Sequence, residues 1–172
     1  RDAPVIPLLS IVGKSNTGKT TLVEKLIPEL TGRGYRVATI KHSRHSFDVD
    51  REGKDSWRHR KAGARITVLA SPHEVVLLES LDHDMTYEEI ESRYIRDADI
   101  IIAEGRKGNP YPKIEVYRPE LHPDLLSAGD ETLLAVIAER SVPVGVPAFR
   151  PDDVSALADF LEDRLLCRGK RK

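Results

Sequence analysis

The sequence has one cysteine, few aromatic residues and no long apolar run. Cys167 is the single cysteine, which excludes an intramolecular disulfide and a cysteine-rich metal site. No apolar stretch approaches the roughly 18 residues of a membrane span, and no signal-peptide pattern opens the chain. We therefore expect a cytoplasmic protein without a membrane partner.

An excess of charge of either sign is also missing. The 172 residues include 27 Lys or Arg and 28 Asp or Glu, for a net charge of −1, so the overall charge gives no case for nucleic-acid binding. Hydrophobic residues make up 40% and charged residues 32% of the chain, a composition typical of globular proteins. The length predicts a single domain over residues 1–167, followed by a basic, frayed tail over residues 168–172.

Apolar patterns predict alternating strands and helices. An apolar run over residues 8–12, a helical spacing over residues 19–31 and a β-branched run over residues 36–40 form a β-α-β unit with parallel strands. Pro28 should kink the helix or end it early. Three further strands are expected at residues 100–103, 114–117 and 133–138, and an antiparallel hairpin at residues 66–70 and 75–78.

Capping residues predict three more helices. Asp55 is a plausible N-cap for a short helix over residues 56–62. Thr86 and Glu89 form the capping-box pattern that opens a helix over residues 86–96. The last amphipathic helix, residues 154–165, has Asp152 or Asp153 as its cap.

Residues 13–20 read GKSNTGKT and match the phosphate-binding pattern G-x-x-x-x-G-K-[ST]. The glycines let backbone N–H groups converge on a phosphate, and the following helix adds the partial positive charge of its N-terminus. Lys19 would reach the terminal phosphates, and the Thr20 hydroxyl would bind Mg²⁺. The loop residues predicted to bind the nucleotide are Gly13, Lys14, Ser15, Asn16, Thr17, Gly18, Lys19, Thr20 and Thr21.

The loop and its flanking elements predict an α/β, P-loop NTPase-like fold, with a mostly parallel sheet flanked by helices and an added antiparallel hairpin. Lys14 is an extra cation in this loop. It is either a solvent-exposed lysine or one that reaches the nucleotide, as in some dimeric P-loop families.

A P-loop protein needs an acidic residue near the metal, and the apolar run at residues 100–103 offers two. Asp99 precedes the run and Glu104 ends it. Ligands of parallel sheets lie at the C-terminal ends of the strands, which selects Glu104 as a metal and catalytic residue together with Lys19. Gly105 would allow a phosphate to approach the backbone.

Polar residues follow the second strand on the same edge of the predicted sheet. Lys41 and His42 begin this stretch and are expected near the nucleotide. Asp48 and Asp50 lie farther along the loop. The stretch is a metal site for Zn²⁺ or Mn²⁺, a switch loop whose aspartates help to hold Mg²⁺, or an exposed polar loop. Its location favours the switch loop.

Several of these motifs together resemble the MobB family, the GTP-binding molybdopterin-guanine dinucleotide biosynthesis adapter proteins. The resemblance rests on the P-loop, the Glu104-Gly105 pair and the segments TIKH (39–42), FDVD (47–50), GKDS (53–56), RHR (58–60) and AGA (62–64). It implies a P-loop α/β fold, a homodimer, GTP and Mg²⁺ binding, weak GTP hydrolysis and partnership with the guanylyltransferase MobA. Molybdopterin is a further candidate ligand.

The chain departs from the family pattern at two positions, since Arg106 replaces the usual aromatic residue after Glu-Gly and Lys14 is not usual in the P-loop. No Asn-Lys-x-Asp motif marks guanine selectivity. The loop over residues 146–153 could supply an aspartate for the base, Asp152 or Asp153. The alternative is that both only cap the last helix.

Two functions of other classes compete with the GTP-binding adapter. One is an ATP-dependent small-molecule kinase, in which Arg106 and Lys107 would act on the transferring phosphate and residues 58–61 would hold an acidic substrate. The other is a non-catalytic module that only binds a phosphate-bearing ligand. Nucleotide preference and turnover distinguish the three.

Overall fold

The structure is a computed structural model that describes residues 6–43, 49–106, 108–140 and 142–166. The chain divides into two compact units, Arg1–Ser43 with Ile95–Lys172, and Arg44–Tyr94. The single domain over residues 1–167 stays a prediction.

The strands are β1 Leu8–Val12, β2 Val37–Lys41, β3 Ile66–Ala70, β4 Val75–Glu79, β5 Ile100–Glu104, β6 Lys113–Val116, β7 Leu133–Ile137 and β8 Ala148–Phe149. The helices are α1 Lys19–Gly32, α2 Asp55–Lys61, α3 Tyr87–Tyr94 and α4 Val154–Leu161, and a π-helical turn, Glu162–Leu166, follows α4.

A six-stranded sheet in the order β2-β5-β1-β6-β7-β8 forms the first unit. Every neighbouring pair is parallel, so the predicted mostly parallel sheet is confirmed. The strands β1 and β2 are parallel as expected but not adjacent, because β5 lies between them. All five residues of β1 and all five of β5 are buried, as expected for central strands covered on both faces.

The helix α1 follows β1 and packs its apolar side into the core. Leu22, Leu26 and Leu30 are buried, and each contributes about 1.5–3 kcal/mol of burial free energy. The helix continues through Pro28, which excludes the early end, whereas the kink that was the other alternative stays a prediction. The buried leucines before and after Pro28 offset the one backbone hydrogen bond that proline removes.

Gly34 ends the first helix. Its φ is +88°, its N–H donates to Thr31 and the next N–H, of Tyr35, donates to Leu30, which is a Schellman motif.

The last helix, α4, packs beside α1 and carries the buried residues Leu157, Ala158 and Leu161. Arg33 joins the two helices, since its guanidinium donates to Glu29 on α1 and to Asp159 on α4. The hydrogen bonds to Asp159 and Glu29 raise the pKa of Arg33 above its ordinary value. Asp153 occupies the N-cap position but makes no side-chain capping bond, so the predicted cap is correct in position only.

The second unit holds the predicted hairpin, in which β3 pairs antiparallel with β4, and the helices α2 and α3. Thr86 and Glu89 exchange the two hydrogen bonds of a capping box, at 2.7 and 3.2 Å, as predicted. Lys54 is the N-cap of α2, so Asp55 is its first helical residue rather than its cap. Within the described residues, no helix is both long and apolar enough to cross a membrane.

Candidate nucleotide-binding site

The P-loop connects the end of β1 to the start of α1. Its backbone has a positive φ at Gly13 (+149°), Asn16 (+62°) and Gly18 (+99°). A Cβ at Gly13 would lie 2.6 Å from the Val116 carbonyl oxygen on β6, closer than two such atoms can approach. Glycine is therefore required at position 13 for both its conformation and its small size.

Two side chains brace the loop internally. The buried Thr17 hydroxyl donates to the carbonyl oxygen of Lys14 at 3.0 Å, and the Lys19 ammonium donates to the same oxygen at 2.7 Å. Lys19 thus lies across the mouth of the loop. The Lys14 side chain is half-buried, and its role in nucleotide binding stays a prediction.

Glu104 lies at the C-terminal end of β5, next to the P-loop. Its residue is only 8% exposed. The Thr20 hydroxyl is 3.4 Å from each of its carboxylate oxygens, and the Lys41 ammonium donates to Oε1 at 2.5 Å. The hydroxyl and the carboxylate are hard oxygen donors of the kind that Mg²⁺ prefers, so the residues present fit this ion. Asp99, at the other end of β5, pairs with Arg36.

Gly105 brings the ends of β5 and β2 together. A Cβ at Gly105 would lie 2.1 Å from the His42 carbonyl oxygen, and the His42 N–H donates to the Glu104 carbonyl at 2.8 Å. The backbone that approaches Gly105 closely is therefore that of His42. This contact places Lys41, and with it the Lys41–Glu104 ion pair, beside the P-loop.

A cavity of about 230 Å³ opens between these elements. Three cations, Lys19, Lys41 and Arg106, and one carboxylate, Glu104, contribute to its wall. Such a wall suits a bound anion and a divalent cation together. Its lining residues are Ile11, Val12, Gly13, Ser15, Lys19, Lys41, Glu104, Gly105 and Arg106.

The sequence also predicted two loop aspartates, Asp48 and Asp50, as residues that help to hold Mg²⁺. Asp48 lies outside the described residues. Asp50 belongs to the second unit, where its side chain is buried and accepts from the Ser56 hydroxyl at 2.8 Å and from Arg60 at 3.2 Å. Within the described part of the chain, no three His, Cys, Asp or Glu residues cluster to hold a metal. The metal roles of Asp48 and Asp50 stay predictions.

A second cavity, of about 160 Å³, lies against Thr17, Gly18 and Thr21 of the loop and helix start. Sequence reasoning missed Arg118 and Glu139 in its wall. Both residues follow strands of the parallel sheet, β6 and β7. Glu104 was selected because ligands lie at the C-terminal ends of parallel strands, and the same rule would have selected these two residues. The lining residues are Thr17, Gly18, Thr21, Leu22, Lys25, Val116, Tyr117, Arg118, Ile137, Glu139, Pro151 and Asp152.

Comparison with known proteins identifies the family. The family model of molybdopterin guanine dinucleotide synthesis protein B, MobB, matches residues 8–139. The chain is 38% identical to a molybdopterin-guanine dinucleotide biosynthesis adapter protein of Haemophilus influenzae, covering 93% of this chain and 90% of the relative. It is 37% identical to the adapter protein of Escherichia coli, covering 91% and 92%.

A solved structure agrees with these relatives. The crystal structure of molybdopterin-guanine biosynthesis protein B has a TM-score of 0.68 and 33% identity, and the match covers 91% of this chain and 97% of that one. The residues matched by the family model include the P-loop and the β5 strand that ends at Glu104. The chain therefore belongs to the MobB family.

Proposed function

We propose that this chain is a GTP-binding adapter with weak Mg²⁺-dependent GTPase activity, which assists the guanylyltransferase step of molybdopterin guanine dinucleotide biosynthesis. The observation that carries the proposal is the 37–38% identity, over more than 90% of this chain, to proteins named adapters of that pathway. The nucleotide part of the proposal rests on the geometry of the P-loop and Glu104.

In this proposal the P-loop holds the phosphates. The backbone N–H groups of the loop and the N-terminus of α1 bind the phosphate oxygens, and Lys19 exchanges the Lys14 carbonyl for a terminal phosphate. Thr20 and Glu104 would hold Mg²⁺, which offsets the charge of the triphosphate. Lys41 already contacts Glu104, so it keeps the carboxylate aimed at the cavity.

Hydrolysis in this site depends on Glu104. A buried carboxylate at a strand end is fixed in position, so it can orient an attacking water without loop closure. The nearby cations Lys41 and Arg106 line the same cavity and can stabilise charge on the transferring phosphoryl group. Lys41 has a 58% exposed side chain, which favours a slow reaction over an efficient one because water screens its charge.

We further propose that the hairpin β3–β4 forms a homodimer contact. Apolar side chains are exposed along both strands, with Val68 55% and Val75 66% accessible. A two-stranded hairpin is marginal by itself, and an exposed apolar edge needs a partner. A second copy of the same hairpin supplies a surface of matching chemistry.

Binding is tested by calorimetry with GTP, GDP and ATP, each with and without Mg²⁺. We expect the tightest binding for GTP with Mg²⁺. Thr20→Ala should reduce the effect of Mg²⁺ on affinity, because the variant lacks the metal-facing hydroxyl. A preference for ATP, together with phosphorylation of an acceptor, would instead support a kinase. Binding without turnover would support a non-catalytic module.

The adapter role is tested with a purified MobA-like guanylyltransferase and molybdopterin. We expect the chain to increase the yield of molybdopterin guanine dinucleotide and Lys19→Ala to remove that increase. An equal yield with and without the chain would refute the adapter role but leave GTP binding intact.

A further inference from the structure

The second cavity and the phosphate-binding cavity flank the P-loop. Strand order places β5, which ends at Glu104, on one side of β1, and β6 and β7 on the other. Glu104 lines the first cavity, and Arg118 and Glu139, which follow β6 and β7, line the second. A nucleotide whose phosphates bind the loop would therefore place its terminal phosphate and its base in different cavities.

The wall of the second cavity suits a flat, partly polar ring. Leu22, Val116, Ile137 and Pro151 supply apolar surface. Such a combination of apolar walls and a few convergent polar groups is typical of small-molecule sites.

Two carboxylates lie in this wall, and they differ in how they are held. Asp152 receives a hydrogen bond on Oδ1 from Lys25 at 2.6 Å, and both residues line the cavity. Glu139 instead pairs at 3.5 Å with Arg150, which is not a lining residue. The Lys25–Asp152 ion pair is exposed, with the Asp152 side chain 84% accessible, so the carboxylate stays open to a ligand in the cavity. A carboxylate accepts about four hydrogen bonds, so Asp152 can accept more.

We propose that this cavity binds the purine base of the nucleotide and that Asp152 selects guanine by accepting from its N1–H and 2-amino groups. This assignment rests on the proposed function, and Asp152 is the residue that would give the nucleotide site its base specificity. Adenine presents an acceptor at N1 and no 2-amino group, so it cannot make this pair with a carboxylate. An aspartate carboxyl is ionised at neutral pH, so the Asp152 side chain is only an acceptor there.

The test exchanges hydrogen-bond donors and acceptors at one position. Asp152→Asn keeps one acceptor and turns the other into a donor. Xanthine has a 2-oxo group where guanine has its 2-amino group, so the variant matches xanthosine triphosphate. By calorimetry we expect Asp152→Asn to lose about tenfold in GTP affinity and to gain about tenfold for xanthosine triphosphate. ATP affinity should stay unchanged.

Matched variants separate this role from general effects. Asp153→Asn makes the same change at the neighbouring residue, which is not in the cavity wall, and should leave all affinities as in wild type. Lys25→Met removes the ion pair but keeps the carboxylate, so it should retain the preference for GTP over ATP. Circular dichroism confirms that each variant is folded.

Three results would overturn the assignment. The first is an Asp152→Asn variant with the wild-type ratio of GTP to xanthosine triphosphate affinity. The second is a change of that ratio in Glu139→Gln instead. Both leave GTP binding by the P-loop intact and refute only the base site. The third is a wild-type chain that binds no nucleoside triphosphate, which refutes the proposed function as well.

Discussion

We expect Glu104→Gln to separate nucleotide binding from GTP hydrolysis in the proposed site. The substitution removes the negative charge and keeps the size of a side chain that is only 8% exposed. An amide oxygen can still accept from the Thr20 hydroxyl, which lies 3.4 Å away. An amide oxygen can also coordinate a hard divalent cation, so the proposed Mg²⁺ contact is weakened but kept. The amide cannot take a proton from the attacking water, so the change acts mainly on the reaction step.

The expected loss follows from the chemistry and from the exposure of the partners. A positioned general base contributes about 10²–10⁴ in rate. Water screens the charges of this open site, which favours the lower end of that range of rates. We therefore expect Glu104→Gln to hydrolyse GTP about 100-fold more slowly, equivalent to about 2.7 kcal/mol of activation free energy. Protein stability should change by less than about 1 kcal/mol, because the Lys41 ammonium that Glu104 leaves behind is 58% exposed and can be hydrated.

The assay is phosphate release under saturating GTP and Mg²⁺, with calorimetry for affinity. Asp99→Asn is the control, since it removes a carboxylate at the opposite end of β5, where Asp99 pairs with Arg36. We expect the control to hydrolyse GTP as wild type does. A wild-type rate in Glu104→Gln would refute the reasoning and leave Glu104 as the polar end of a strand.

Three other outcomes are expected. Lys19→Ala should abolish measurable turnover and weaken GTP binding more than GDP binding in calorimetry, because in the proposed site its ammonium binds the terminal phosphate; unchanged GTP affinity would refute the P-loop assignment. Val68→Lys should convert a dimer to a monomer in sedimentation, whereas Val49→Lys, an exposed change outside the hairpin, should not; a monomeric wild type at micromolar concentration would contradict the dimer. Asp130→Asn should lower the free energy of unfolding at pH 7 by about 2 kcal/mol in urea titrations, because it leaves the Lys113 ammonium, 3% exposed, without its carboxylate. In wild type the hydrogen bond from Lys113 lowers the pKa of Asp130 from 3.8 to about 2, so this stabilisation is present above pH 4 and is lost as the pH falls towards 2; an unchanged acid profile in the variant would contradict it.

Local chemistry made several features predictable. The P-loop needs only its own glycines, Lys19 and Thr20 and the elements on either side, and all lie within about 25 residues of the sequence. The capping box of Thr86 and Glu89 closes over three residues. The family and the α/β fold followed from such patterns and were confirmed.

Long-range contacts decided what these patterns left open. The helix α1 continues through Pro28 because buried leucines hold it against the sheet, whereas local propensity favours a stop. Asp50 has nearer partners, since its side chain accepts from Ser56 and Arg60, and its role in holding Mg²⁺ stays a prediction.

The candidates for phosphate chemistry could be predicted from the chain, because the spacing of a loop and the order of strand ends are properties of the amino-acid sequence. The residues that these side chains contact depend on the tertiary structure. The insertion of β5 between β1 and β2 brings Glu104 next to Thr20, 84 residues away in sequence, and next to Lys41. The packing of α4 beside α1 likewise places Asp152 next to Lys25, while Asp153 takes the N-cap position of α4. Pairing of distant strands depends on the packing of the whole sheet, and no local pattern encodes it.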